Sequence, residues 1–142
     1  VRTVALNGKN SKKLTAEKGI FRNPSFSGDG RMIVFNKEGG NSDLGRTFTK
    51  NPGIYLMNTS GENLRKISDN GEFAMFNAKN DRILFQTGGY LFGSLTKSLK
   101  SVDLNGKDER THMESKYGGR LVPSPDNKWV AFSNLHKAYV AP

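Results

Sequence analysis

The feature that most restricts what this chain can fold into is that it repeats itself. Pro24-Ser25-Phe26-Ser27-Gly28-Asp29-Gly30-Arg31-Met32-Ile33-Val34-Phe35 aligns with 74–85 and again with 121–132, so that Phe35, Phe85 and Phe132 stand 50 and 47 residues apart. A second element alternates with the first: Val4-Ala5-Leu6-Asn7-Gly8, Met57-Asn58-Thr59-Ser60-Gly61 and Val102-Asp103-Leu104-Asn105-Gly106, whose glycines lie 53 and 45 residues apart. Two elements in fixed order with one shared spacing describe a single structural unit used several times, at a period of about 40 to 50 residues.

The unit is built of strands. Met32-Ile33-Val34-Phe35 and Trp129-Val130-Ala131-Phe132 are too short for a buried helix and rich in β-formers, which suits strands covered on both faces. Asp29-Gly30 supplies the positive φ of a tight hairpin turn, and Asp126-Asn127 does the same because Asn tolerates the left-handed region. Asn7-Gly8 and Asn105-Gly106 turn the outer hairpin, which leads into Lys13-Leu14-Thr15 in one copy and Lys66-Ile67-Ser68 in another. One period therefore holds about four short antiparallel strands. A sheet of four strands cannot bury both faces alone, and stacking such sheets about an axis gives a β-propeller.

Ser124-Pro125-Asp126-Asn127-Lys128-Trp129-Val130-Ala131-Phe132 resembles the Ser-Pro-Asp-Gly-Lys-x-x-Ala-Phe repeat of TolB-like β-propellers, and Ser27-Gly28-Asp29-Gly30-Arg31 is similar to it. Val102-Asp103-Leu104-Asn105-Gly106 and Lys12-Lys13-Leu14-Thr15 match the family's later strands, while Asn77-Ala78-Lys79-Asn80-Asp81 is the most degenerate copy. The resemblance implies an all-β fold of about three four-stranded antiparallel blades. The expected divisions are 1–19 (outer strands only), 20–71, 72–117 and 118–142 (inner strands only). Three blades fall short of a ring of four to eight. The chain is therefore expected to be a partial propeller, or half of a six-bladed ring completed by a homodimer in which the two partial ends combine. The absence of an initiator methionine agrees with a processed protein or an excised piece. Family members include periplasmic scaffolds, propeller domains ahead of amidohydrolases and peptidases, and lyases acting on acidic sugars, so the resemblance speaks to fold more than to function. A periplasmic or extracytoplasmic location is expected from it.

Chemistry is sparse. There is no cysteine, which excludes disulfides, thiolate catalysis and cysteine zinc sites. The two histidines, His112 and His136, belong to no His-x-x-x-His or His-Glu-x-x-His pattern, and no acidic series has calcium-loop spacing. His112 is expected to be a solvated imidazole on an outer strand. Gly39-Gly40, Gly88-Gly89 and Gly118-Gly119 lack the residues of a phosphate cradle and read as loop punctuation. Neither a catalytic constellation, a metal nor a cofactor is expected. The formal charge of +9 comes from Lys and Arg spread along the chain, without the stripe a nucleic-acid interface shows. No apolar stretch reaches the ~18 residues of a membrane helix, and no membrane insertion is expected.

The long segments 37–52 and 86–98 remain, carrying Arg46 and Phe48 in one and Tyr90 and Phe92 in the other. In a propeller they gather at the same end as the blade-to-blade connections. Arg22, Asn23, Arg46, Phe73, Tyr90, Phe92, Arg120 and His136 are therefore the expected binding residues, because exposed aromatics beside cations suit recognition of a protein or peptide. An acidic glycan is the second class such a surface could take. Non-catalytic binding is the expected function.

Overall fold

The computed structural model describes residues 1–39, 50–88 and 95–142. Among them there is no helix; thirteen strands form four antiparallel sheets. The first sheet is a two-stranded ribbon of β1 (Arg2–Thr3) and β2 (Lys12–Lys13). The second runs in order β3 (Ile20–Phe26), β4 (Met32–Glu38), β5 (Gly53–Asn58), β6 (Arg65–Ser68). The third repeats that order with β7 (Glu72–Phe76), β8 (Arg82–Thr87), β9 (Thr96–Asp103), β10 (Arg110–Lys116). The fourth has β11 (Gly118–Pro123), β12 (Val130–Asn134) and β13 (Lys137–Ala141).

Alternation along the second strand of each sheet explains the stacking, since successive side chains leave opposite faces. Ile33 and Phe35 point back onto the first sheet and pack with Leu14 and Met57. Val34, on the opposite face, joins Ile83 and Phe85 of the third sheet in the largest core cluster. Leu84 then faces Leu121 and the partly buried Val130 and Phe132 of the fourth. The three repeat phenylalanines thus hold equivalent places, each against the preceding sheet. Phe35 and Phe85 are almost fully buried, and their strands continue three, two and two residues beyond Phe35, Phe85 and Phe132. Ala131, the counterpart of Val34 and Leu84, is exposed, and it lies between Val122 and Val140 in the ladder. Val122 and Val140 are exposed too, so the forward face of the fourth sheet is apolar and open.

The turns repeat as closely as the cores. Ala5, Asn58 and Asp103 each bracket an outer turn, accepting from Gly8, Gly61 and Gly106. In the inner turn Ser27 Oγ receives Met32 N–H and Ser124 Oγ receives Trp129 N–H, while in the degenerate copy Asn77 Oδ1 accepts from Asp81 and Arg82 instead. The same hydrogen bonds survive the change of residue because Asn carries an acceptor within reach of the same N–H groups.

Polar side chains also fasten each sheet to the next. Asn80 Oδ1 accepts Gly28 N–H of the preceding sheet at 2.7 Å, and Asn127 Oδ1 accepts Ala78 N–H in the same way. Asn36 donates to Gly71 O at 2.7 Å, and the buried Gln86 accepts Leu121 N–H at 3.0 Å. Gly71 is required here, since a Cβ on it would lie 2.5 Å from the Phe85 ring.

Three sequence expectations change. Gly118-Gly119 is not loop punctuation: both residues open β11, where a Cβ on Gly119 would sit 2.2 Å from Ser133 Oγ. Lys37 and Lys97, read as loop residues, are buried within β4 and β9. The last sheet carries a third strand rather than inner strands only. By alignment β1 holds that same position, so merging the two end sheets into one four-stranded blade, as the six-bladed ring requires, means that β1 or β13 must leave it.

Replacing Gln86 by Leu should leave the Leu121 N–H buried without a partner, at a cost of about 1–3 kcal/mol. Urea unfolding should show a lower midpoint at unchanged slope; an unmoved midpoint would mean that this link contributes nothing.

Candidate functional site

The first strand of each of the last three sheets is interrupted by a bulge near its start, at equivalent places in β3 and β7 and one position earlier in β11. The register of β3 shifts between Arg22 and Ser25, that of β7 between Glu72 and Met75, and that of β11 between Gly118 and Leu121. Asn23 and Phe73, which occupy the extra positions, have φ of 51° and 54°. Asn enters the left-handed region readily; a phenylalanine there is uncommon and turns the backbone so that its side chain leaves the ladder.

The bulges bring four of the expected residues to one end of the stack. Arg22 Nε is 3.0 Å from Glu38 Oε1, with both side chains partly in solvent. The Phe73 ring lies beneath the Arg120 guanidinium, 4.5 Å from ring centroid to Cζ, across the boundary between the third and fourth sheets. Arg120 is exposed and has no carboxylate partner among the described residues. Between the second and third sheets a cleft of about 630 Å³ opens, lined by Arg22, Asn23, Lys37, Glu38, Glu72 and Phe73 among others. A neighbouring hollow of about 610 Å³ shares Asn70, Gly71 and Glu72 with it and continues past Lys100 and Glu109.

His136 occupies the two-residue turn between β12 and β13, exposed, at this same end but outside the cleft. Arg46, Tyr90 and Phe92 lie outside the described residues.

The charges in and beside the groove are mixed, and several are paired. Lys37 Nζ sits 2.6 Å from Glu17 Oε2, and this hydrogen bond, with the ammonium charge behind it, holds the Glu17 carboxyl below its usual range. Lys100 is 2.7 Å from Glu109. Alternating donors and acceptors over a long shallow groove match the polar backbone and side chains of a polypeptide. No group of three His, Cys, Asp or Glu side chains that could hold a metal exists among the described residues. No helix there is long and apolar enough to cross a membrane.

His112 departs from its expected role. The residue is exposed overall, yet Nε2 lies 2.8 Å from the oxygen of Ser101, which is wholly buried. Partial burial first, then the charges of Arg82 and Arg110, lower its pKa from the usual 6.5. Nothing in the sequence spacing marks this pairing, because it is made across neighbouring strands.

No family model and no curated protein matches the chain. Among solved structures it is similar to TolB from Acinetobacter baumannii, at 20% identity and a TM-score of 0.64, over 96% of this chain and 35% of that one. It is also similar to a putative TolB from Agrobacterium tumefaciens, at 20% identity and a TM-score of 0.56, over 80% of this chain and 40% of that one. The chain thus has a TolB-like propeller fold and spans well under half the length of either protein.

The depressed His112 pKa has a consequence for stability. Below about pH 6.5 the unfolded chain takes up a proton that the folded chain resists, so stability is full above that pH and falls on acidification. Thermal unfolding should show a midpoint about 1–3 °C lower at pH 5.5 than at pH 7, a modest drop because the site is open to solvent. His112→Gln should flatten that dependence; an equal slope in the variant would assign it elsewhere.

Proposed function

We propose that the chain is a non-catalytic propeller module that holds a segment of a protein or peptide in the groove at the bulged end of its sheets. The observation that carries this reading is the Arg120–Phe73 pair beside the cleft. A half-buried aromatic ring capped by an exposed guanidinium that has no carboxylate partner among the described residues offers an apolar surface and a cation within one contact radius. Such pairs are worth about 0.5–1 kcal/mol when exposed and more once a partner excludes water. Arg and aromatic side chains also supply most hot spots of protein interfaces.

The TolB-like fold supports a scaffold rather than an enzyme, and an extracytoplasmic setting, by likeness of fold. Three carboxylates that line the groove are engaged by cations: Glu38 by Arg22, Asp69 by Lys66 and Glu109 by Lys100. Groups held in that way position and recognise; none is paired with a base or nucleophile. An acidic residue on the partner is the expected match for Arg120.

Selection of displayed random peptides on the immobilised protein, with Arg120→Glu as counter-selection, tests this. Enriched sequences should contain an acidic residue near an apolar one, and should lose about tenfold or more in affinity, about 1.4 kcal/mol, on the Arg120→Glu and Phe73→Ser variants. The reading fails if no sequence is enriched, or if enriched peptides bind both variants as well as the parent.

A further inference from the structure

At the opposite end of the sheets, one sheet-to-sheet boundary departs from the rule set by its neighbour. Between the second and third sheets the forward face contributes Met32, Leu56 and Ile67, all within or against the largest apolar cluster. The same three places in the third sheet are filled by Arg82, Ser101 and His112. Arg82 aligns with Met32 in the repeat, Ser101 pairs with Leu84 as Leu56 pairs with Val34, and His112 occupies the bulge that Ile67 occupies. The opposing sheet is smaller as well, with Pro123 where Phe76 stands and Ala141 where Val102 stands.

Exchanging three core side chains for polar ones removes apolar burial that the neighbouring boundary retains. The polar trio is hydrogen-bonded internally: Arg82 Nε donates to Ser101 Oγ at 2.9 Å, and Ser101 Oγ meets His112 Nε2 at 2.8 Å. With the hydroxyl proton directed to Nε2, the neutral ring carries its proton on Nδ1, which has no partner among the described residues. The trio lines a cleft of about 290 Å³, together with the apolar Leu84, Leu99 and Met113 and with Trp129 and Pro142.

We propose that this cleft is a binding site for a small ligand made of one aromatic ring and one carboxylate. Its volume lies at the lower limit for ligand pockets, which sets the size near that of a single amino acid. The half-exposed Trp129 indole and the leucine wall suit a ring. Charge suits an anion: Arg82 and Arg110 share the single carboxylate of Asp108, at 2.8 and 2.5 Å, leaving a positive balance beside the His112 donor. The field that discourages an imidazolium there favours a carboxylate. The ligand chemistry is that of a free aromatic acid or of an aromatic residue at a peptide C-terminus. This site is separate from the groove of the proposed function and does not depend on it.

Trp129 is the chain's one tryptophan, so its fluorescence reports on the cleft directly. N-acetylphenylalanine should change that fluorescence saturably, while N-acetylphenylalaninamide, lacking the carboxylate, and N-acetylalanine, lacking the ring, should bind at least about tenfold more weakly. A tripeptide ending in Phe distinguishes the sources: tighter binding than the free acid assigns a chain terminus, weaker binding a free acid. The variant Arg82→Met/Ser101→Leu/His112→Ile, which restores the apolar trio of the neighbouring boundary, should melt higher and lose the response; should it fail to fold, His112→Ile alone should weaken binding. No saturable change up to about 10 mM acid, an equal response to the amide, or undiminished binding by the folded apolar variant overturns the site.

Discussion

A short antiparallel sheet that is apolar on both faces has to be sandwiched, and everything in this molecule follows from that constraint. Because side chains alternate, Phe35 and Val34 cannot share one partner: the first needs a sheet behind it and the second a sheet in front. Each additional sheet satisfies the face before it and presents another in need of cover. Stacking therefore propagates, and the energetics are those of neighbouring pairs, as in other repeat architectures. The largest cluster sits where both flanking sheets have four strands, and the forward face of the fourth sheet, which no described sheet covers, leaves Ala131 and its ladder neighbours Val122 and Val140 in solvent.

Apolar stacking by itself leaves the sheets free to slide, and the amides Asn36, Gln86, Asn80 and Asn127 remove that freedom. Each links a side chain to a backbone group of the adjoining sheet at a fixed height. A mismatch of one residue would strand the Asn36 and Gln86 links unpaired in a poorly solvated boundary, which costs more than their pairing contributes. The fourth sheet lacks the residues that make these links in the forward direction. Pro125, aligned with Gly28 and Ala78, has no N–H to give to a later sheet, and Ser133 stands where Asn36 and Gln86 reach forward.

The repeat made the architecture legible. Phe35, Phe85 and Phe132 are visible in the chain because burial on both faces demands a contiguous apolar run at one position per period. Gly30 and Asn127 are visible because a tight turn needs positive φ. The bulges were not legible: Phe73 adopts the left-handed region against its own preference, as the bulge in the pairing of β7 with β8 requires. Gly118 and Gly119 misled for a related reason, since glycine in a strand signals close approach as readily as it signals a loop, and Ser133 is invisible from their local sequence. Of the expected binding residues, Arg22, Asn23, Phe73 and Arg120 share the bulged end because they flank equivalent strand starts, a relation that the alignment alone contains. Their pairing into Arg22–Glu38 and Arg120–Phe73 depends on rotamers that the sequence does not encode.

The two ends of the stack show how a repeat acquires specificity. At the bulged end the variation is in the protruding side chains, so Asn23 and Phe73 present different surfaces from one backbone geometry. At the turn end the variation enters the core itself. Arg82, Ser101 and His112 replace an apolar trio without breaking the sheet, because the three satisfy one another and Asp108 neutralises part of the charge. A lone polar residue in that boundary would be an uncompensated burial, whereas a closed network is tolerated, and that tolerance lets one boundary open a cleft at the turn end, where its neighbour is packed with apolar side chains. The stacking rule is strict about total cover and lenient about which boundary supplies it, which is why a chain of near-identical units can hold differing chemistry at successive positions.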